Sequence, residues 1–258
     1  MDFKTKLQNA ISKNNSLLCV GLDPDPEKTK AAGIFAFNKK IIDETKDLVC
    51  AYKPNIAFYE AAGIEGLEAL KATINYIHQN CDIPVLLDAK RADVENTARM
   101  YAMAAFDYWK ADAVTIIPHL GKNVAEPFLA HGDKMTFMII KTTANESETI
   151  KNAKVGKDPY YLALAKEIKT WPNQENIGIF VGATATKALK EVRAIFPDSI
   201  FLTAGLGAQG ASTKDAVQAG VDKNGGGILF NASRSIIYAQ NPKQAAQEQR
   251  DEINKYRS

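Results

Sequence analysis

The sequence is organised around residues 86–97: Leu86-Leu87-Asp88-Ala89-Lys90-Arg91-Ala92-Asp93-Val94-Glu95-Asn96-Thr97. The apolar residues before Asp88 predict a short buried strand over 83–87, and the helical spacing of later apolar residues predicts a helix over 94–110. Asp88, Lys90 and Asp93 therefore lie between a strand and a helix. In parallel α/β folds such junctions form the rim that carries catalytic residues, so this stretch indicates both the fold class and its site.

The spacing of these charges indicates which of them act together. Asp88 and Lys90 are two residues apart and can point to the same side of an extended backbone, whereas Asp93 and Thr97 fall on one face of the predicted helix. An ion pair and a helix cap would explain the charges separately. Three charges at the end of one packed strand favour a site that binds or transforms a charged ligand, because unpaired buried charge is costly.

Composition and charge limit the classes of protein that fit. With 258 residues, of which 46% are apolar, the chain can bury a large core. We expect a single domain over residues 1–258, because no change in composition divides the chain. The 32 basic and 30 acidic residues give a net charge of +2, which offers no argument for a nucleic acid or an anionic membrane as partner.

The cysteines and the apolar runs indicate the compartment. Three cysteines are too few for a disulfide framework and lack the spacing of a zinc site, so we expect buried free thiols at Cys19, Cys50 and Cys81. The apolar run 17–22 is shorter than the hydrophobic region of a signal peptide, and no segment reaches transmembrane length. These features predict a cytoplasmic protein that has no membrane partner.

Short apolar runs alternate with segments of helical spacing along the chain. Strands are predicted at 17–21, 48–52, 83–87, 113–117, 136–140, 177–181, 200–203 and 228–230. Helices are predicted at 2–13, 35–48, 60–79, 94–110, 122–131, 159–169, 184–195 and 212–219, the first of them as a cover for the bottom of a barrel or an N-terminal cap. Eight short strands alternating with helices predict a (β/α)8 TIM barrel rather than a doubly wound sheet.

Polar residues follow the predicted strands at most of their carboxyl ends. In a barrel these ends converge on one mouth. The glycine-rich loop 205–210 after the seventh strand and Arg234 after the eighth occupy the usual barrel position for a phosphate, with backbone N–H groups and a guanidinium as donors. The residues expected at the mouth are Asp23, Lys53, Asp88, Lys90, Thr142, Thr143, Gln209 and Arg234.

These motifs resemble those of the orotidine 5'-phosphate decarboxylase family, in its longer branch. The D-x-K-x-x-D motif of that family, with a threonine four residues further on, matches Asp88, Lys90, Asp93 and Thr97. The resemblance extends over nearly the whole chain, through Cys-Val-Gly-Leu-Asp-Pro at 19–24, Lys-Pro-Asn-Ile-Ala-Phe at 53–58, Lys-Thr-Thr at 141–143, Val-Gly-Ala at 181–183, Gly-Leu-Gly-Ala-Gln at 205–209 and Ser-Arg at 233–234.

The resemblance implies loss of CO2 from orotidine 5'-phosphate to give UMP, the last step of de novo pyrimidine synthesis, without a metal or an organic cofactor. Lys90 would donate the proton to C6, and Asp88 would lie beside the departing carboxylate. Lys53 and Asp93 would complete an alternating Lys-Asp-Lys-Asp array. The family also implies a homodimer with shared active sites, in which Asp93 and Thr97 reach in from the neighbouring subunit.

Further contacts follow from the same resemblance. Its ribose-binding positions fall on Asp23, Lys53, Asn55 and Thr97, and its phosphate ligands fall on Gln209 and Arg234. Thr143 matches a position that faces the pyrimidine, and the adjacent Thr142 is a further candidate for substrate binding. The chain departs from the family at Ser233, where glycine is frequent, and at Ala144, where Asn-Pro commonly follows. Neither departure removes a charged group.

Three other functions remain open on the sequence. Related barrels use D-x-K-x-x-D with Mg²⁺ on sugar phosphates, as in 3-keto-L-gulonate 6-phosphate decarboxylase. A Schiff-base aldolase would use Lys90 or Lys141 as the nucleophile. A nucleotide-binding barrel without activity is the third alternative, and the intact charged array disfavours it. The histidines lack the spacing of a metal site, so packing or surface roles are expected for His78, His119 and His131.

Overall fold

The computed structural model describes residues 1–29, 33–142, 148–206 and 212–257, apart from the side chains of two residues at 148 and 151. Within these ranges no helix is both long enough and apolar enough to cross a lipid bilayer.

Eight parallel strands form one closed sheet. The strands are bonded in the order β2-β1-β10-β9-β8-β5-β4-β3, and parallel bridges from Tyr52 to Val85 and from Asn55 to Asp88 join the two ends. A short antiparallel hairpin of two further strands, β6 and β7, lies outside the barrel sheet. The strands are β1 Leu18–Leu22, β2 Ala51–Pro54, β3 Leu86–Arg91, β4 Ala113–Ile116, β5 Met135–Lys141, β6 Lys154–Val155, β7 Asp158–Pro159, β8 Ile177–Val181, β9 Phe201–Ala204 and β10 Ile228–Ala232.

Helices alternate with the barrel strands, so the predicted (β/α)8 barrel is confirmed. They are α1 Phe3–Asn14, α2 Pro26–Thr29, α3 Ile34–Thr45, α4 Ile56–Glu60, α5 Gly63–Asn80, α6 Glu95–Met103, α7 Lys122–Leu129, α8 Glu148–Lys151, α9 Tyr160–Ile168, α10 Thr186–Ile195, α11 Thr213–Gly220, α12 Arg234–Ile237 and α13 Pro242–Asn254. A π-helical turn, Ala104–Tyr108, continues α6, and a 3₁₀ turn, Pro118–Leu120, follows β4.

Two predicted boundaries were wrong for local reasons. The helix predicted over 60–79 begins three residues later, at Gly63, which takes a positive φ of 68°, and the short helix α4 that precedes it was not predicted. The strand predicted over 83–87 is Leu86–Arg91 and therefore contains Asp88 and Lys90, which were expected to follow it. The charged residues thus belong to the sheet itself, which fixes their backbone more firmly than a loop would.

Apolar side chains fill the end of the barrel where the strands begin, which we term the floor. Phe3 and Leu7 of α1 pack there with Leu86, Phe137 and Leu202. The rings of Phe3 and Phe137 meet edge to face, with centroids 6.0 Å apart. Burial of each such side chain contributes roughly 2 kcal/mol. Helix α1 therefore closes the floor as predicted, and polar groups are left to the opposite end, where the strands finish, which we term the mouth.

Candidate active site

Three neighbouring strands bring polar side chains together at the mouth. Lys53 lies on β2, Asp88 on β3 and Thr115 on β4, and these side chains are 4%, 7% and 1% exposed. Because β2, β3 and β4 are adjacent in the closed sheet, residues 35 and 27 positions apart in sequence become direct neighbours. Such a group of buried polar residues at strand ends is the arrangement expected of a barrel active site.

Asp88 is the centre of the site. Its Oδ2 accepts hydrogen bonds from Lys53 Nζ at 2.9 Å and from Asn55 Nδ2 at 3.5 Å. Its Oδ1 accepts from Lys90 Nζ at 2.6 Å and from Thr115 Oγ1 at 2.8 Å. Both oxygens are therefore saturated with donors, which fixes the carboxylate in one orientation. We call Lys53, Asp88 and Lys90 the mouth cluster.

A bulge in β3 makes this geometry possible. Leu87 pairs with Val114 and Arg91 pairs with Ile116, so three residues of β3 stand opposite the single residue Thr115 of β4. Lys90, within the bulge, takes a left-handed φ of 46°. A regular extended backbone between Asp88 and Lys90 was therefore a wrong prediction. Left-handed non-glycine residues cost of the order of 1–3 kcal/mol and cluster at functional sites.

Lys53 and Asp88 hold each other ionised. Burial by itself raises the pKa of the Asp88 carboxyl, but the charges and hydrogen bonds of Lys53 and Lys90 outweigh burial and hold that pKa well below its usual range. Burial likewise disfavours the charged form of Lys53, but Asp88 and Asp23 outweigh it and hold the pKa of Lys53 above its usual value. The two lysines thus face two acidic side chains, Asp88 and Asp23, and Lys90 is the more exposed of the two cations, with 43% of its side chain exposed.

Asp93 stands apart from the mouth cluster of its own chain. It precedes α6, whose N-cap is Val94, and its Oδ1 accepts a hydrogen bond from Val94 N at 2.8 Å. The prediction that Asp93 and Thr97 share a helical face was therefore wrong, since only Thr97 belongs to the helix, where it is half-buried. Within the described ranges, Asp93 forms no ion pair with Lys53 or Lys90.

Asp23 lies where β1 ends, next to Lys53. Its Oδ1 is buried and lacks a hydrogen-bond partner among the described residues. Its backbone is held by Tyr238, whose hydroxyl donates to the Asp23 carbonyl at 3.3 Å and accepts from the Asp25 N–H at 2.7 Å. A buried carboxylate oxygen with no protein partner is a ready acceptor for a ligand hydroxyl. The sequence did not indicate Tyr238 as part of this site, because Tyr238 lies far from Asp23 along the chain.

Arg234 is available for an anion at the start of α12. It is exposed, and it has no ion-pair partner in the described part of the chain. The preceding Ser233 packs on Gly21, where an added Cβ would stand 2.7 Å from Ser233 Cβ, and Ser233 Oγ donates to the Gly21 carbonyl at 3.1 Å. The serine that departs from the family is thus accommodated by a glycine on β1. Gln209 lies outside the described residues.

The end of β5 carries Lys141 and Thr142. Lys141 Nζ donates to Asn152 Oδ1 at 3.0 Å and lies 4.7 Å from the centre of the Tyr161 ring, so this side chain packs towards α9. That position disfavours Lys141 as a Schiff-base nucleophile in the mouth cluster. Thr142 is half-buried beside it. Thr143 and Ala144 lie outside the described residues.

The histidines are separated from one another. His78 lies 3.6 Å from Asp112 at the floor, His119 Nδ1 hydrogen-bonds to Tyr160 Oη at 2.8 Å, and His131 Nδ1 is 3.1 Å from the carbonyl of Pro127. The described ranges contain no group of three or more histidine, cysteine or acidic side chains placed to hold a metal.

The cysteines are free thiols. Cys19 and Cys50 are buried as predicted, and burial raises the pKa of Cys19 to about 12. Cys81 is only partly buried, which corrects that prediction, and its surroundings raise its pKa to about 11, chiefly through loss of solvent. These pKa values keep Cys19 and Cys81 protonated near neutral pH, which makes them poor nucleophiles.

Known proteins resemble this chain over nearly its full length. Residues 16–249 match the orotidine 5'-phosphate decarboxylase / HUMPS family. The orotidine 5'-phosphate decarboxylase of Christiangramia forsetii is 42% identical over 241 residues, which cover 91% of this chain and 88% of that protein.

Solved structures agree with the sequence match. An OMP decarboxylase of Leishmania donovani has a TM-score of 0.91 and 38% identity, and the match covers 100% of this chain and 99% of that one. A UMP synthase of the same organism has a TM-score of 0.93 and 40% identity, and this chain spans 57% of its length. The chain therefore belongs to the orotidine 5'-phosphate decarboxylase / HUMPS family of enzymes, as its motifs indicated.

Proposed function

We propose that this enzyme decarboxylates orotidine 5'-phosphate to UMP and CO2, the last step of de novo pyrimidine synthesis, without a metal or an organic cofactor. The observation that carries the proposal is the mouth cluster, in which two lysine ammonium groups lie within 3 Å of one buried aspartate. The relatives named above support the choice of substrate. A fixed ammonium group is what loss of CO2 from this substrate requires.

The reaction needs positive charge in the plane of the pyrimidine. When the bond between C6 and the carboxylate breaks, its electron pair stays on C6 in the ring plane, where the π-system offers no simple sink. A preorganised ammonium group stabilises that pair without reorganisation, and such electrostatic terms are usually the largest in catalysis. We assign this role to Lys90, whose Nζ then gives its proton to C6 and regains one from water.

Asp88 and Lys53 keep Lys90 in place. The bond of 2.6 Å from Lys90 Nζ to Asp88 Oδ1 fixes the position of the ammonium group. We also assign Asp88 to the position beside the substrate carboxylate, which it would crowd and which is released as neutral CO2. Lys53, bonded to the other oxygen of Asp88, limits the repulsion in the ground state.

The rest of the substrate is held by groups around this cluster. We assign the ribose hydroxyls to Asp23, Lys53, Asn55 and Thr97, the pyrimidine to Thr143, and the phosphate to Gln209 and Arg234, with Thr142 as a further substrate-binding residue. The buried Oδ1 of Asp23, which has no hydrogen-bond partner among the described residues, supports the first assignment, and the exposed guanidinium of Arg234 supports the last. A phosphate grip far from C6 can still raise the rate if its binding energy closes the site.

We propose as well that two copies of the chain share their active sites. Asp93 and Thr97 would complete the array of the neighbouring subunit, which fits the absence of a bond from Asp93 to its own Lys53 or Lys90 in the described ranges. Val94, Met100 and Met103, on and beside α6, are 67%, 44% and 44% exposed. Apolar side chains that are exposed together commonly mark an interface.

We further infer that residues 1–258 form one domain, because α1 packs inside the barrel floor and α13 packs on α3. The cytoplasmic location stays a prediction.

The test of the function is a decarboxylation assay that follows the loss of orotidine 5'-phosphate absorbance with and without a chelator. We expect turnover in both conditions. Loss of activity in chelator with recovery on adding Mg²⁺ would favour the metal-dependent sugar-phosphate alternative. Binding of UMP without turnover of orotidine 5'-phosphate would favour a binding protein. Trapping of a substrate adduct by borohydride would favour the aldolase.

The test of the shared site is a mixed dimer of two inactive variants, Lys90→Ala and Asp93→Asn. In a mixed dimer one site takes Lys90 from one chain and Asp93 from the other and is wild type, so refolding an equal mixture should restore roughly a quarter of the sites. Lys90→Ala mixed with Asp88→Asn is the matched control, because both residues serve their own chain and no wild-type site can form. If mixed dimers form but recover no more activity than this control, Asp93 acts within its own chain.

A further inference from the structure

We propose that Thr115, which no motif of the sequence singled out, is a positioning residue for this reaction: its hydroxyl locks Asp88 and the left-handed backbone of Lys90 into one arrangement. The inference rests on the proposed function, because it concerns how Asp88 and Lys90 reach their working geometry. We assign no substrate contact to Thr115 itself. It acts through the two residues that it holds.

In the register of the sheet, Thr115 is the single residue of β4 that lies opposite the bulge of β3. Between the pairs Leu87–Val114 and Arg91–Ile116, β3 has three residues and β4 has one. Lys90 therefore has no regular backbone partner on β4, and its N–H instead donates to Thr115 Oγ1 at 3.0 Å. A side chain thus replaces the ladder hydrogen bond that the bulge removes, which allows Lys90 to keep its φ of 46°.

The hydroxyl satisfies both neighbours at once. A threonine has one O–H to donate and lone pairs to accept, and Thr115 uses the first on Asp88 Oδ1 at 2.8 Å and the second on the Lys90 N–H. The side chain is only 1% exposed, so water cannot substitute without a cavity. Because threonine is branched at Cβ, its χ1 is stiff, and the oxygen is aimed rather than free to rotate.

Other buried threonines of the barrel show that this arrangement is specific. Thr136 on β5 and Thr203 on β9 are 1% and 0% exposed, like Thr115. In contrast to Thr115, their hydroxyl oxygens have no hydrogen-bond partner among the described residues. A buried threonine on a strand of this barrel therefore does not form such a link by default. Thr136 also supplies a matched control, since it lies on the strand next to β4.

The decisive variant is Thr115→Val, which keeps the shape and deletes the hydroxyl. We expect kcat to fall about 10- to 100-fold, because a hydrogen bond to a charged group is lost and the Lys90 N–H is left unsatisfied. The KM for orotidine 5'-phosphate and the affinity for UMP should change by less than about threefold, since we assign Thr115 a role through Asp88 and Lys90 and no contact of its own with the substrate. Thr136→Val should leave kcat within about twofold of wild type.

A second pair of variants keeps the test decisive if Thr115→Val fails to fold. Thr115→Ser retains the hydroxyl and Thr115→Ala removes it, so the two differ by a single oxygen. We expect the serine variant to retain kcat within about fivefold of wild type and the alanine variant to lose as much as valine. A merely structural threonine would make serine and alanine equally poor.

Two results would overturn the inference. One is a kcat for Thr115→Val equal to that of Thr136→Val. The other is a parallel loss of kcat and UMP affinity that serine does not rescue. An inactive wild-type enzyme would instead contradict the proposed function, so the two failures are distinguishable.

Discussion

Two buried aspartates lie at opposite ends of the barrel, and they have similar partners but different roles, one in the proposed active site and one in stabilising the fold. Asp88 at the mouth accepts from two lysines, a threonine hydroxyl and an asparagine amide. Asp112 at the floor accepts from Lys6 Nζ at 2.9 Å and from the backbone N–H of Val85 at 2.8 Å, and His78 lies 3.6 Å away. We call Lys6, His78 and Asp112 the floor cluster.

Backbone anchoring and exposure separate the two clusters. At the floor one lysine faces one aspartate, and the aspartate is bonded to the backbone at the start of β3, so the ion pair ties α1 to the sheet. At the mouth Asp88 is bonded through side chains, and the side chain of Lys90 is 43% exposed. A buried pair bound to backbone holds elements of the fold together, whereas a cluster with an exposed cation is accessible to a charged ligand.

The largest effect that separates the clusters is expected for the two lysines. Lys90→Ala should lower kcat by at least about a thousandfold while the fold survives, because it removes charge that acts in the transition state. Lys6→Ala should keep activity per folded molecule within about twofold and lower stability instead. Circular dichroism and the decarboxylation assay measure both. A folded Lys90→Ala protein with near wild-type turnover would remove Lys90 from the mechanism.

The next effect concerns the aspartate of the floor cluster. Asp112→Asn should lower the free energy of unfolding by about 3 kcal/mol, because it breaks a largely buried ion pair and leaves Lys6 without its partner. Asp43→Asn, in the exposed pair with Lys39, should cost less than about 1 kcal/mol. Urea titration of the three proteins gives the difference. Equal costs for the two variants would mean that the floor cluster does not stabilise the fold.

A smaller effect is expected at Arg234, the cation at the mouth that has no ion-pair partner in the described chain. Arg234→Ala should weaken UMP binding about 10- to 100-fold and leave uridine binding nearly unchanged, because a guanidinium–phosphate contact is charge-assisted. Arg250→Ala on α13 is the control. Calorimetry with both ligands measures the effect, and equal losses for UMP and uridine would show that Arg234 is not the phosphate anchor.

The smallest effect is the pH dependence of the floor cluster. Burial, with Lys6, Lys134 and Lys71, lowers the pKa of His78 below 6.5, although Asp112 raises it. Between the folded and unfolded pKa values the unfolded chain binds the proton and the folded chain does not, so stability falls as the pH drops through that window. His78→Gln should therefore lose less stability than wild type between about pH 7 and about pH 5. Parallel urea curves at the two pH values measure this, and an identical pH dependence would exclude His78 as a contributor.

Local sequence patterns predicted much of the fold and of the candidate site. Short apolar runs with a polar residue at the end predicted the eight barrel strands, and the spacing of Asp88, Lys90 and Asp93 with Thr97 pointed to the family. These features depend on residues that are close in sequence, so periodicity and side-chain type are enough to predict them. Strand and helix ends were less well predicted, because Gly63 and the bulge in β3 act through backbone conformation rather than through polarity.

Pairing between distant strands sets which side chains meet at the mouth. Local sequence predicted a strand that leads into Asp88 and Lys90, but the bulge that turns Lys90 left-handed and sets three residues against Thr115 exists only once β3 pairs with β4. Folding also brings Tyr238 to Asp23 and leaves Asp93 outside the mouth cluster of its own chain. Register and closure depend on contacts between distant segments of the chain. The sequence around a threonine on β4 therefore does not indicate which carboxylate its hydroxyl will bind.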